Sequence, residues 1–192
     1  MSVRSNFRIF TFLLAALAVF SILAAAQGNP NRFGPPSGVT PVVTTVTAEE
    51  ARELAFMREE EKMARDLYTK LAEKWNLRVF ERIAESEQRH FDAVGRLLTR
   101  YNIDDPASNL PEGVFKNASL QSLYNELLAK GMLSVKDALE VGVLVEKADI
   151  EDLEAALKIV TNAEVKRVFT SLLQGSTSHL DAFEGYLELL NQ

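Results

Sequence analysis

The sequence predicts an all-α protein, an antiparallel four-helix bundle with a long crossover between its second and third long helices. Three observations predict it. Four long stretches place apolar residues at alternating steps of three and four, the spacing of one helix face. They pair through two tight turns, near Asn76 and Thr161. No run alternates apolar and polar residues as a strand would.

The first helix opens at the capping box Thr47-Ala-Glu-Glu50 and runs to about Trp75. The second runs from about Arg78 to Tyr101. The connection NIDDPASNLPEGVFKN follows, then a short helix around 119–130 that stops at Gly131. Ser134 can cap the third long helix, which reaches about Val160. Thr161-Asn-Ala-Glu164 reads as a second capping box, opening a fourth helix that continues almost to the end. Tight turns make each pair antiparallel, and a long crossover is one known way to close such a bundle.

The chain ahead of the bundle has a different character. Arg4 and Arg8 precede an uncharged run of 18 residues ending in Ala24-Ala25-Ala26. A basic start, an apolar middle and small residues at the end predict a signal peptide over 1–26, cut near Gln27, and a secreted or periplasmic product. An uncleaved membrane anchor is the other reading; the alanine-rich end favours cleavage, leaving no stable membrane insertion. Residues 27–46, rich in Pro, Gly, Ser and Thr, read as a flexible linker, and 47–192 as the bundle domain. Cleavage removes Arg4 and Arg8 and takes the net charge from −6 to −8, which argues against nucleic acid as a partner. The chain has no cysteine, so disulfides, thiolate metal sites and iron–sulfur clusters are excluded.

Each apolar stripe is broken once, near its middle. The first runs Leu54, Met57, Glu61, Ala64, Tyr68, Leu71, Trp75, and the second Phe80, Ile83, Glu87, His90, Val94, Leu97, Tyr101. The third runs Val135, Leu139, Gly142, Glu146, Asp149, Leu153, Ala156, Val160, and the fourth Val165, Val168, Leu172, Ser176, His179, Phe183, Leu187, Leu190. Counted from the turns at Asn76 and Thr161, the polar positions lie roughly 16–27 Å along their helices, at one height in the bundle. An unpaired buried charge is costly and normally becomes neutral. Several carboxylates together would also repel. Divalent cations remove both problems, and carboxylate with neutral imidazole suits iron, manganese or zinc. The candidate ligands are Glu61, Glu87, His90, Glu146, Asp149 and His179. Both histidines of the chain are among them. Glu60 is the alternative on the first helix, although the stripe favours Glu61; for Asp149 the alternative is a solvated helix residue. Tyr68 is the candidate catalytic residue, to hydrogen-bond a ligand or carry an electron, against a plain core tyrosine. Arg65 and Arg89 could pair with outer carboxylates, with surface roles as the default; Asn117-Ala-Ser119 is a glycosylation sequon.

These residues carry a family resemblance. Glu61-x-x-Ala64-x-x-x-Tyr68 resembles the first-helix signature of rubrerythrins and ferritins, and Glu87-x-x-His90 is similar to their second-helix motif. Glu146 and His179 are spaced as the third-helix glutamate and fourth-helix histidine are in rubrerythrins. EEEKMARDLY, IAESEQRHFDAV and GSTSHLDAF resemble most an exported, uncharacterised branch of the ferritin-like superfamily. The resemblance implies a ferritin-like bundle holding two ions of iron or of manganese on carboxylates. It departs in one place: the fourth helix usually has a glutamate three residues before its histidine, and here that residue is Ser176.

Two functions follow as expectations. One is an exported di-metal oxidoreductase of peroxidase, ferroxidase or catalase type, acting on peroxide, oxygen or ferrous iron. No electron-donor module is evident, so a reductase would need an external donor. The other is a non-enzymatic metal-binding or protein-interaction module with a degenerate site, which Ser176 favours. Iron storage by a shell of copies, a homo-oligomer, is a third and weaker idea.

Overall fold

The computed structural model of the chain describes residues 45–190, and among them every regular element is helical. The expected signal peptide over 1–26 and nearly all of the expected linker over 27–46 lie outside these residues. No described helix is long and apolar enough to cross a membrane.

The elements are α1 (Ala48–Trp75), α2 (Arg78–Arg100), α3 (Ala118–Gly131), α4 (Val135–Ile159) and α5 (Ala163–Leu190). At the start of α1 the capping box forms as expected: Thr47 Oγ1 accepts from Glu50 N at 3.1 Å, and Glu50 Oε2 accepts from Thr47 N at 2.7 Å. The helix ends at Asn76, which is left-handed at φ 51° and makes the tight turn into α2. Ser134 caps α4 by accepting from Asp137 N, also as expected.

The cap of α5 differs from the expectation. Thr161 does not form a capping box with Glu164. Asn162 Oδ1 instead accepts from Glu164 N at 2.9 Å and Val165 N at 3.2 Å. The N–H and hydroxyl of Thr161 turn away and donate to Glu50 Oε1 of α1. Burial opposes the charge of Glu50, but the N–H groups of Thr47, Asn162 and Thr161, with the Thr161 hydroxyl, hold its pKa down to about 2. A long-range carboxylate outcompetes the local one and ties the start of α1 to the α4–α5 turn.

The packing order is α1–α2–α5–α4, closing back on α1. Each neighbour is antiparallel. Glu50, early in α1, meets Thr161 beyond α4, while Trp75 at the end of α1 donates to Gly131 O just before α4. Tyr101 after α2 meets Glu164 at the start of α5. The short α3 lies in the crossover and packs on α1 and α4.

The interior is layered. One cluster, including Leu67, Leu71, Phe80, Leu139 and Phe183, fills one end; another, including Leu54, Val94, Leu153, Phe169 and Leu172, fills the other. Apart from partial exposure at helix ends, and Leu190 at 52% exposed, the apolar stripe positions are inside. The interruptions of all four stripes meet between the two clusters.

Candidate metal centre

Glu61 from α1, Glu87 and His90 from α2, Glu146 and Asp149 from α4, and Ser176 and His179 from α5 all project into this middle layer. The carboxylates and Ser176 are buried, while the His90 and His179 side chains keep 12% and 11% of their surface exposed. Glu87 and His90 stand one turn apart on the same helix face, so both reach the interior. His90 approaches so closely because residue 175 is glycine. A Cβ at Gly175 would lie 2.5 Å from His90 Cε1 and 2.6 Å from Nε2. Gly142 likewise makes room for the Phe183 ring, below Glu146 on the α4 face.

The side chains fall into two groups of three. Glu61, Glu87 and His90 form one, and Glu87, Glu146 and His179 the other; in each, the candidate ligand atoms lie within 4.8 Å of one another. Glu87 belongs to both. Its Oε2 is 2.8 Å from His90 Nδ1 and its Oε1 is 2.8 Å from His179 Nδ1. Glu61 Oε2 stands 3.3 Å from His90 Nδ1, and Glu146 Oε2 stands 3.6 Å from His179 Nδ1. The two imidazoles stack with centroids 5.6 Å apart. Each group is thus one glutamate of its own, one histidine of its own, and a shared carboxylate between them.

Asp149 lies in neither group. Its Oδ2 is held at 2.5 Å by Ser176 Oγ, which stands where a fourth-helix carboxylate was expected. Tyr68, with no exposed surface, donates its hydroxyl to Glu146 Oε1 at 2.6 Å and so fixes that carboxylate.

Without a cation these groups have to share protons. Burial alone would push Glu87 up, but the close approach of the His179 imidazole and the His90 hydrogen bond hold it near 2. Burial and the charge of Glu87 raise Glu146 to about 7. Burial and the charge of Glu146 raise Asp149 to about 8, against the pull of the Ser176 hydrogen bond. Glu61 is raised well above its ordinary range by burial and then by Asp149. Burial would lower His179, yet Glu146 and Glu87 lift it to about 9; His90 is raised in the same way, chiefly by Glu87.

Whether an ion suits these residues can be judged from the polar atoms left over. Glu61 Oε1, Glu87 Oε1 and His179 Nδ1 are buried with no hydrogen-bond partner. Glu87 Oε1 and His179 Nδ1 are close, but misaligned for a hydrogen bond. Two ligands at right angles, each about 2.1 Å from one ion, lie about 3 Å apart, so this spacing suits shared coordination. The donor set of carboxylate and imidazole suits iron, manganese and zinc.

Sequence reasoning did not find the buried polar residues on the other faces of α1. Glu50, Glu59, Lys62 and Asp66 are all inside. Of the two arginines singled out, Arg65 pairs with Asp66 and donates to Gln88, while Arg89 is exposed. Asn117 of the sequon caps α3 through its side-chain oxygen.

The chain is 48% identical over 138 residues to the uncharacterized protein MJ0754 of Methanocaldococcus jannaschii, an overlap covering 72% of this chain and 75% of that protein. The crystal structure of hypothetical protein MJ0754 superposes with a TM-score of 0.76 at 45% identity, covering 78% of this chain and 85% of the other. A DUF305 fragment from Deinococcus radiodurans is similar in fold alone, with a TM-score of 0.55 at 16% identity over 76% of this chain and 99% of that one. Residues 50–192, which include all four long helices and both groups of three, match the family described as "Uncharacterized protein domain (DUF2202)", and the chain belongs to that family.

Proposed function

We propose that the protein is an exported, ferritin-like di-metal protein whose centre holds two ions of iron or of manganese and acts on peroxide, oxygen or ferrous iron. The observation that carries this reading is the position of Glu87. One carboxylate faces two histidines, with a further glutamate beyond each, so that these residues would hold one ion on either side of Glu87. Bound there, a pair of redox-active ions would supply two-electron exchange with peroxide or oxygen.

Glu61 with His90 would hold one ion, and Glu146 with His179 the other. Tyr68 orients Glu146 through its hydroxyl. The apolar layers on either side keep bulk water from the centre and strengthen its electrostatics. Three glutamates oppose about four positive charges of two divalent ions. Asp149, held by Ser176 beside the groups, supplies a fourth carboxylate close by. The second reading is a single-ion or non-enzymatic binding module. It is favoured by Ser176, which brings no carboxylate from α5 and engages Asp149 instead.

Titration of manganese(II) into stripped protein, with ions counted per chain, separates the two readings. The expected result is two ions per chain, both lost or much weakened in His90→Ala/His179→Ala while the far-ultraviolet spectrum stays helical. One ion per chain favours the second reading. Unchanged binding by the double variant would sink the assignment of the site.

A further inference from the structure

The centre is not sealed evenly. The Glu61, Glu87 and Glu146 side chains keep 1%, 2% and 2% of their surface exposed, whereas those of His90 and His179 keep 12% and 11%. Solvent therefore meets the centre at its two imidazoles, one on α2 and one on α5, whose rings stack with centroids 5.6 Å apart. The backbone of Gly175 lies against both rings. A Cβ there would stand 2.5 Å from His90 Cε1, 2.6 Å from His90 Nε2 and 3.9 Å from His179 Cε1. Behind this edge His179, 9% exposed as a residue, has its Nδ1 without a hydrogen-bond partner.

The wall of the bundle is thin at this place. α1 packs closely on α2, and α4 on α5, while the seams between these two hairpins are looser. α3 packs on both α1 and α4, across their seam; among the described residues no further helix packs over the α2–α5 seam. Arg100 of α2 pairs with Glu164 of α5 and closes one end of it. Ala93 and Ser86 lie two and four turns before Arg100 on the same side of α2, to either side of His90. On α5, Gly175 stands three turns beyond Glu164, with Ser171 and Ser178 one turn to either side. At the height of the centre the seam is thus lined by small side chains, each of them half-buried or exposed. A glycine inside a helix calls for a packing or functional reason. Here any side chain would run into the His90 edge and fill the gap where the imidazoles meet solvent.

We propose that the α2–α5 seam at Gly175 is the port of the centre, through which divalent ions and peroxide-sized solutes reach Glu87 past the edges of His90 and His179. What passes through rests on the di-metal reading above; the port itself does not.

The chain has no cysteine, so Ser178→Cys puts a single thiol on the rim, and Thr177→Cys puts one on an exposed neighbour that faces another way. Each folded full chain, stripped of metal, is capped either with a small methylthio group or with bulky, uncharged biotin maleimide. Uptake of cobalt(II) is then followed by visible absorbance in a stopped-flow mixer. The biotin form of Ser178→Cys is expected to reach the same cobalt per chain as its methylthio form, but at least about fivefold more slowly, because a cover over the route to a buried site limits its filling. The two forms of Thr177→Cys should fill at the same rate. Diethyl pyrocarbonate gives a reading without metal. His90 and His179 are the only histidines, and mass spectrometry should find them modified more slowly in the biotin form of Ser178→Cys. Equal cobalt and histidine rates for the two Ser178→Cys forms overturn the port. Equal slowing in Thr177→Cys also overturns it, since bulk anywhere on α5 then explains the rate. So does a lower cobalt end-point in the biotin form of Ser178→Cys, which means that the label deforms the centre. If the unlabelled wild type takes up no cobalt(II), the di-metal reading falls and the histidine rates alone decide the port.

Discussion

Glu87 is where the two halves of the site meet, and its surroundings set the protonation of the rest. His179 is lifted to about 9 by Glu146 and Glu87 against burial, so it is positively charged at neutral pH in the metal-free protein. Its ordinary value is 6.5. The stability it contributes is therefore fully present below pH 6.5 and is lost as pH rises through about 9. Glu146 and Asp149 have folded values of about 7 and 8, above their ordinary 4.5 and 3.8. The folded state thus holds protons that the unfolded chain has released, so these groups also make stability fall as pH rises towards 7 and 8. Glu87 works in the opposite sense but is already ionised in both states above pH 4.5, so it adds nothing to the slope there. Stripped protein is expected to melt at a lower temperature at pH 8.5 than at pH 6. Metal should raise the melting temperature more at the higher pH, because ions replace these protons. A stripped chain that melts equally or higher at pH 8.5 would show that the buried acids are not protonated as described.

At the scale of the element, α1 is the helix that does most. From Glu59 to Ala64 every residue is buried, because the crossover covers the outer face of the helix. That cover is bonded in place. Lys62, 2% exposed, donates to Asp66 Oδ2 at 2.6 Å and to Pro111 O at 2.8 Å, and its ammonium stands 4.7 Å from the centre of the Phe115 ring. The same Asp66 oxygen accepts from Gly113 N at 2.9 Å. Glu59 Oε1 accepts from Lys116 N and from Asn117 N, just ahead of α3. Arg58 grips Asp105 at the other end of the connection. Asp66→Ala should cost about 3–5 kcal/mol, since it leaves a buried ammonium without its carboxylate. That corresponds to a fall in melting temperature of roughly 10 °C for a domain of this size. Replacing the pair together, Lys62→Met/Asp66→Leu, should recover most of the loss. An Asp66→Ala chain that melts within about 1 °C of wild type, a shift well under 1 kcal/mol, would mean that the clasp contributes little.

In the whole molecule, the four-helix bundle was legible because each long helix writes its buried face as one stripe. The five residues of the two groups were legible for a related reason. Glu61, Glu87, His90, Glu146 and His179 interrupt those stripes at matching heights, and antiparallel packing brings equal heights together. What the sequence hid depends on contacts made across long loops. Lys62 and Asp66 look like a surface i, i+4 pair until the crossover is laid over them. Thr161 looks like a helix cap until Glu50 arrives from the start of α1. Asp149 could have faced solvent; only the approach of Ser176 on α5 shows where it turns. Gly175 carried a readable signal, a glycine inside a helix, but its meaning needs the His90 ring beside it.

If Glu87 lies between two metal positions, crystals of the full chain grown with excess manganese(II) will show it. An anomalous difference map at the manganese edge is expected to show two peaks per chain, one beside Glu61 and His90 and one beside Glu146 and His179, with Glu87 reaching both. A single peak at saturating manganese, or two peaks that Glu87 does not join, would contradict it.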